Sequence, residues 1–156
     1  MSDLFEFAPE QEEKLTPKDS WKILVVDDEE SVHDVTTNAL KSIVIEDKRL
    51  ELIHAVSAEE AKMKLAEHHD IALALIDVIM ETPRAGLDLV NYIRKNLKND
   101  LIRLVIRTGQ PDEVPEREII DQYDITDYKE KTELSIDKFY TVVRSSIRQY
   151  MHLLEL

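Results

Sequence analysis

The chain has 156 residues, 43% hydrophobic and 34% charged, a balance that suits one packed domain with short extensions and not a disordered polymer. Its formal charge of −13 argues against a nucleic-acid partner, whose phosphates need a basic face, and for a cation. The absence of cysteine removes disulfides and thiolate metal sites. No apolar run nears the roughly 18 residues of a membrane span, and the acidic start is unlike a signal peptide, so a soluble, cytoplasmic protein is expected.

Residues 1–20 read as an acidic, loosely ordered N-terminal extension whose Leu4, Phe5 and Phe7 could dock on the domain or a partner. Residues 21–156 read as one domain. A first strand is expected at residues 22–26, followed by a helix whose core face is Val32, Val35, Ala39, Leu40 and Ile43. A second strand follows at 50–56, then a helix started by the Ser57/Glu60 capping pair. Residues 71–76 are apolar throughout, as in strands covered on both faces. Leu87, Val90, Ile93 and Leu97 mark the third helix, and residues 101–106 the fourth strand. Pro115 suits the first turn of a short helix carrying Ile119, Ile120 and Tyr123. Residues 125–131 are a weaker fifth strand. From Ser135 to about Leu154 a last helix carries Ile136, Phe139, Val142, Val143, Ile147, Tyr150 and Met151, and it meets no glycine or proline stop. Strand and helix thus alternate five times, which predicts an α/β fold with a parallel sheet covered on both faces.

Ligands of such sheets bind beyond the carboxyl ends of the strands. "ILVVDDEE" ends the first strand in Asp27 and Asp28; the third ends in Asp77, the fourth in Thr108, the fifth in Lys131. Singly, each residue is more often a turn cap, a packing hydroxyl or a solvated ammonium. Together they place three carboxylates, a hydroxyl and an ammonium on one edge. Three close carboxylates stay ionised only beside a cation, and oxygen-only ligands suit Mg²⁺. Thr108 and Lys131 can hold phosphoryl oxygens, and a carboxylate can itself be the nucleophile. Glu29 and Glu30 fall at the start of the first helix, where acids suit its dipole.

These motifs, "ILVVDDEE", "ALIDVIM", "VIRTG" and "DYKEK", in that order, resemble the receiver domain of bacterial two-component response regulators over about residues 21–150. The resemblance implies a flavodoxin-like five-stranded parallel sheet, order 2-1-3-4-5, with five helices. It implies Asp77 as phosphoacceptor, supplied by a phosphohistidine on a sensor histidine kinase or phosphotransfer protein. Asp28 would bind Mg²⁺ directly, Asp27 through water, and the backbone carbonyl of Ile79 would be a further ligand beside Asp77. Thr108 would be the switch hydroxyl, Lys131 the phosphate's partner and Tyr128 the aromatic switch that remodels the face of the fourth helix, fifth strand and fifth helix. "RTGQPDEVPE" with "DYKEKTEL" also resembles receivers at the N-terminus of larger regulators, some with cyclic-dinucleotide phosphodiesterase outputs. A linked output domain beyond the last helix is therefore expected; a homodimer through that helix is left open.

The sequence departs from the family in three places. Thr132 follows Lys131 where proline, often cis, is usual; a cis bond before threonine costs about 3–4 kcal/mol, so a trans bond and a different loop are expected. Met80-Glu81 replaces the usual Met-Pro, and "DVIMETPRAG" is one residue longer before its glycine, which predicts a reshaped loop after Asp77. Lys129 rivals Lys131, but Tyr128 and Lys131 keep the family spacing. Ile79 and Gln110 stand where the family tunes the lifetime of the acyl phosphate. His33, His54, His68 and His69 read as surface or core residues, and Arg84, Arg103 and Arg107 as solvated surface. Two other functions are weighed: a Mg²⁺-dependent phosphohydrolase, whose D-x-D pattern is absent after the first strand, and a receiver-like module that is never phosphorylated, which the intact acidic set opposes.

Overall fold

The computed structural model describes residues 20–109 and 116–156. The extension and the readings of Gln110 and Pro115 lie outside them. In chain order the elements are β1 (Ser20–Val26), α1 (Glu30–Leu40), β2 (Val44–Ile45), β3 (Lys48–Ala55), α2 (Ala58–Glu67), β4 (Ile71–Ile76), α3 (Ala85–Asn91), β5 (Arg103–Thr108), α4 (Glu116–Gln122), β6 (Asp127–Glu130) and α5 (Ile136–Leu154). Beyond α3 the helix goes on as a wider turn over Tyr92–Asn96, with Leu97 N–H reaching Tyr92 C=O at 2.9 Å.

The sheet runs β2-β3-β1-β4-β5-β6, six strands where five were expected. All pairs are parallel except β2 with β3. The extra strand is a hairpin arm closed by Glu46 and Asp47, with φ of 50° and 64°. Such turns favour Asn-Gly or Asp-Gly; with neither present, no strand is read there and the helical stripe runs on to Ile43. Trp21 fixes the arm by donating Nε1–H to the Ile45 carbonyl at 2.8 Å.

Every residue of β4 is buried, as its unbroken apolar run requires of a central strand. One core packs Leu24, Val26, Ala74, Ile76 and Ile106 against α2, α3 and α4; the other packs Ile23, Val25, Leu73, Leu75 and Val105 against α1 and α5. Helices therefore cover both faces, the doubly wound arrangement. α5 buries Phe139, Val142, Val143, Ile147 and Tyr150 as its stripe predicts, but leaves Ile136 exposed. α1 is rotated from its apolar stripe: His33, Thr36 and Leu40 are buried while Val35 is exposed. Its buried polar pair is claimed by the site above the sheet. Among the described residues no helix is long and apolar enough to cross a membrane.

Candidate functional site

Val26 pairs with Ile76, and Ile76 with Ile106. The residues that follow, Asp27, Asp77 and Arg107, therefore stand at one level at the carboxyl end of three adjacent strands. Asp27 and Asp77 are buried and Asp28 is exposed, and each offers an oxygen within 4.8 Å of the others. Parallel register causes this convergence: acids about fifty residues apart in sequence meet because β1 and β4 are neighbours.

Lys131 reaches across from the end of β6. Its Nζ lies 2.9 Å from Asp27 Oδ2, 2.8 Å from Glu29 Oε1 and 3.6 Å from Asp77 Oδ2. Burial would weaken this ammonium's hold on its proton, but the bonds to Glu29 and Asp27 and the charge of Asp77 outweigh it and raise its pKa. Lys131 in turn lowers the pKa of Glu29, so Glu29 is a member of the site as well as the residue before α1. Lys129 pairs instead with Asp127, at 3.7 Å.

Asp77 has the opposite balance. Burial, then repulsion from Asp27, pushes its pKa up to about 6, against the pull of Lys131. It sits in a pocket of about 440 Å³ lined also by Asp28, Glu29, Ile79, Thr108, Gly109 and Lys131. Thr108 is the last residue of β5 and is buried. Tyr128 is buried on β6 within the core that holds Ile106 and Ile119. Of the sequence-derived set, Asp27, Asp28, Asp77, Thr108, Lys131 and Ile79 thus border one site, while Tyr128 packs on the core side of β6.

The loop after Asp77 is built differently from a Met-Pro turn. Glu81 crosses to α2, where its carboxylate accepts the N–H of Ala58 at 3.1 Å and of Glu59 at 3.3 Å. Arg84 donates to the Tyr123 hydroxyl at 2.9 Å, joining the loop to the segment after α4. Gly86 packs directly on the Asp77 backbone: a Cβ there would lie 1.9 Å from the Asp77 carbonyl oxygen. The Lys131–Thr132 peptide is trans, and residues 131–133 form one tight turn boxed by Glu130 and Glu133.

Sequence reading gave His33, Thr36 and Arg107 no place at the site, and of these it misread Arg107 as solvated surface. His33 Nε2–H donates to the Asp27 carbonyl at 2.8 Å, which leaves His33 Nδ1 to accept from His54 Nδ1–H at 2.7 Å. Burial, then the neighbouring ring, lowers the pKa of His54. Arg107, expected in solvent, is 3% exposed and donates Nη1–H to Thr36 Oγ1 at 2.9 Å. The signal for all three was their period: His33 and Thr36 share one helical face, and Arg107 shares the strand face of Val105.

The fold is that of response regulator receiver domains. The signal receiver domain of an HD domain-containing protein from Pseudomonas fluorescens matches with a TM-score of 0.73, over 90% of this chain and 96% of that one, at 18% identity. A receiver domain protein from Clostridium thermocellum matches with a TM-score of 0.69, over 85% of this chain and 98% of that one, at 20% identity. In sequence the chain is 49% identical over 136 residues to 3′3′-cGAMP-specific phosphodiesterase 2 of Vibrio cholerae, covering 87% of this chain. It spans 26%, about a quarter, of that protein's length. No protein-family model matches the chain.

Proposed function

We propose that this chain is a phosphorylation-dependent signalling receiver whose Asp77 accepts a phosphoryl group from a phosphohistidine on a partner kinase or phosphotransfer protein. The observation that carries this reading is the pocket itself: a buried carboxylate at its base, two further acids, a hydroxyl and an ammonium around it. An Asp77 oxygen attacks phosphorus as the P–N bond to the donor imidazole breaks, and the imidazole nitrogen keeps the bonding pair and takes a proton. Lys131 and Thr108 hold the transferred oxygens. The donor set fits a hard divalent cation: oxygen atoms only, from three carboxylates within 4.8 Å of one another. Asp27, Asp28 and Asp77, with the Ile79 carbonyl, would hold Mg²⁺, which when bound neutralises charge on the phosphoryl oxygens.

Phosphorylation adds about −1.5 to −2 charge, which rewards any arrangement that brings Thr108 and Lys131 closer. In this reading Tyr128 follows Thr108, and the face of α4, β6 and α5 carries the change to the output. The relative's length supports a longer regulator, in which this chain is the receiver, the acidic extension precedes it and a separate domain acts. The relative's name makes a cyclic-dinucleotide phosphodiesterase the output to test first.

The test is to add beryllofluoride with Mg²⁺ and follow the amides of Asp77, Thr108 and Lys131 by NMR. Large shifts in the native chain and none in Asp77→Asn are expected. No response, or the same response in the variant, removes Asp77 as phosphoacceptor.

A further inference from the structure

We infer that Arg107 is a second cation of the acidic site, a buried positioning residue that steadies Asp27 and Asp77 from the α1 side when Lys131 turns to a phosphoryl oxygen. The inference rests on the receiver reading and adds to it a residue, the arginine of "VIRTG", to which that reading gives no role.

The geometry begins with register. Arg107 follows Ile106, which pairs with Ile76, so Arg107 is level with Asp77 on the next strand and with Asp27 one strand further. Strand alternation gives the three residues the face of Val25, Leu75 and Val105, the side covered by α1 and α5. Arg107 confirms that side by its contacts: its guanidinium meets Thr36 of α1, and its Cζ lies 5.5 Å from the centre of the Phe139 ring of α5.

A guanidinium has five N–H donors in a fixed fork. Here Nη1 is spent on Thr36, whose own hydroxyl donates to the Val32 carbonyl at 2.7 Å and so must accept from Arg107. Nε and Nη2, the edge that pairs side-on with a carboxylate, find no hydrogen-bond partner among the described residues. Leaving a buried charged donor unused is costly, and a chain keeps such a group where a counter-charge is at hand. The acids at the same level are that counter-charge: burial lowers the pKa of Arg107, and Asp27 and then Asp77 oppose that shift.

Lys131 supplies the other half. Its ammonium has three donors, and three carboxylates already surround it. Asp27 and Glu29 lie within hydrogen-bond distance and Asp77 at 3.6 Å, so a phosphoryl oxygen held by this ammonium competes with Asp27 for it. Asp27 is fully buried, so bulk water does not replace the lost partner. Arg107, fixed by Thr36 with an unused edge, leaves Asp27 a cation when that exchange happens, and its charge favours an anionic adduct on Asp77.

The experiment compares two affinities in Arg107→Met, an apolar replacement of similar length. Mg²⁺ alone is titrated by calorimetry, then beryllofluoride at saturating Mg²⁺ by NMR. Losing a nearby positive charge should tighten Mg²⁺ by about three- to tenfold and weaken beryllofluoride by a similar factor. A residue that merely packs would weaken both or neither, and either outcome overturns the inference. Arg107→Lys should restore both affinities toward the native values. If Arg107→Met does not fold, Arg107→Gln, which keeps a donor for Thr36, gives the same pair of measurements. A native chain that takes no beryllofluoride removes the phosphoacceptor reading instead; the Mg²⁺ titration then decides Arg107 alone, an unchanged affinity removing it.

Discussion

Lys131 stands closer to Asp27, at 2.9 Å, than to Asp77, at 3.6 Å. The ammonium therefore serves first as the counter-ion of a fully buried carboxylate and only second as a neighbour of the proposed phosphoacceptor. It stands between the two strands' acids in the way a cation would.

Removing that ammonium should cost stability that a divalent ion gives back. Lys131→Met leaves Asp27 buried without its partner, and a loss of about 1–3 kcal/mol is expected in urea denaturation at neutral pH. Millimolar Mg²⁺ should recover most of it. A variant as stable as the native chain without Mg²⁺ would show that the pair has no stabilising role.

Asp77 should make the fold less stable at neutral pH. Its pKa is raised from 3.8 to about 6, so the folded state binds its proton more tightly than the unfolded state. The favourable contribution is complete below pH 3.8 and is lost as pH rises through 6. Asp77→Asn should be more stable than the native chain at pH 7.5, by about 1–2 kcal/mol after solvent screening, with the difference closing toward pH 4. Denaturant midpoints across that range check the sign; a difference that grows on acidification contradicts it.

Gly86→Ala should unseat the loop after Asp77. The added Cβ would lie 1.9 Å from the Asp77 carbonyl oxygen and 2.9 Å from Val78 Cα, both backbone atoms that cannot rotate away. A loss of at least about 2 kcal/mol is expected. Amide spectra should show displaced signals from Asp77 through Leu87.

Glu81→Ala should loosen the start of α2 with little effect elsewhere. The carboxylate accepts two N–H groups of the first turn, while Ser57 keeps its own bond to Glu60 at 3.0 Å. A loss of about 0.5–1 kcal/mol and faster hydrogen exchange at Ala58 and Glu59 are expected. Unchanged exchange there would mean the bonds contribute nothing in solution.

Much of this protein is written locally. The alternation of apolar runs with helical periods names an α/β fold, and acids after the first and third runs with Thr108 and Lys131 after later ones name a site at one edge. Local signals of this kind survive because burial acts residue by residue, with period 2 in strands and 3.6 in helices. They also limit what can be read. The β2 arm was missed because its turn uses Glu46 and Asp47 without glycine. α1 was rotated in the reading because His33 and Thr36 are polar yet buried, His33 satisfied by Asp27 and His54 and Thr36 by Val32 and Arg107.

Register decided the remainder. Only the pairing of β1, β4 and β5 sets Asp27, Asp77 and Arg107 at one level, where burial and the charge of Asp27 lift the pKa of Asp77 to about 6 and Arg107 keeps an unused edge. The acids in "ILVVDDEE" could be counted from the sequence, but their sharing could not: Asp27 and Glu29 both hold Lys131, from 104 and 102 positions away by residue number, because β6 ends beside β5 and turns back over the edge. Charge composition states how many carboxylates there are; the distances between them, which set every energy among them, belong to the folded chain.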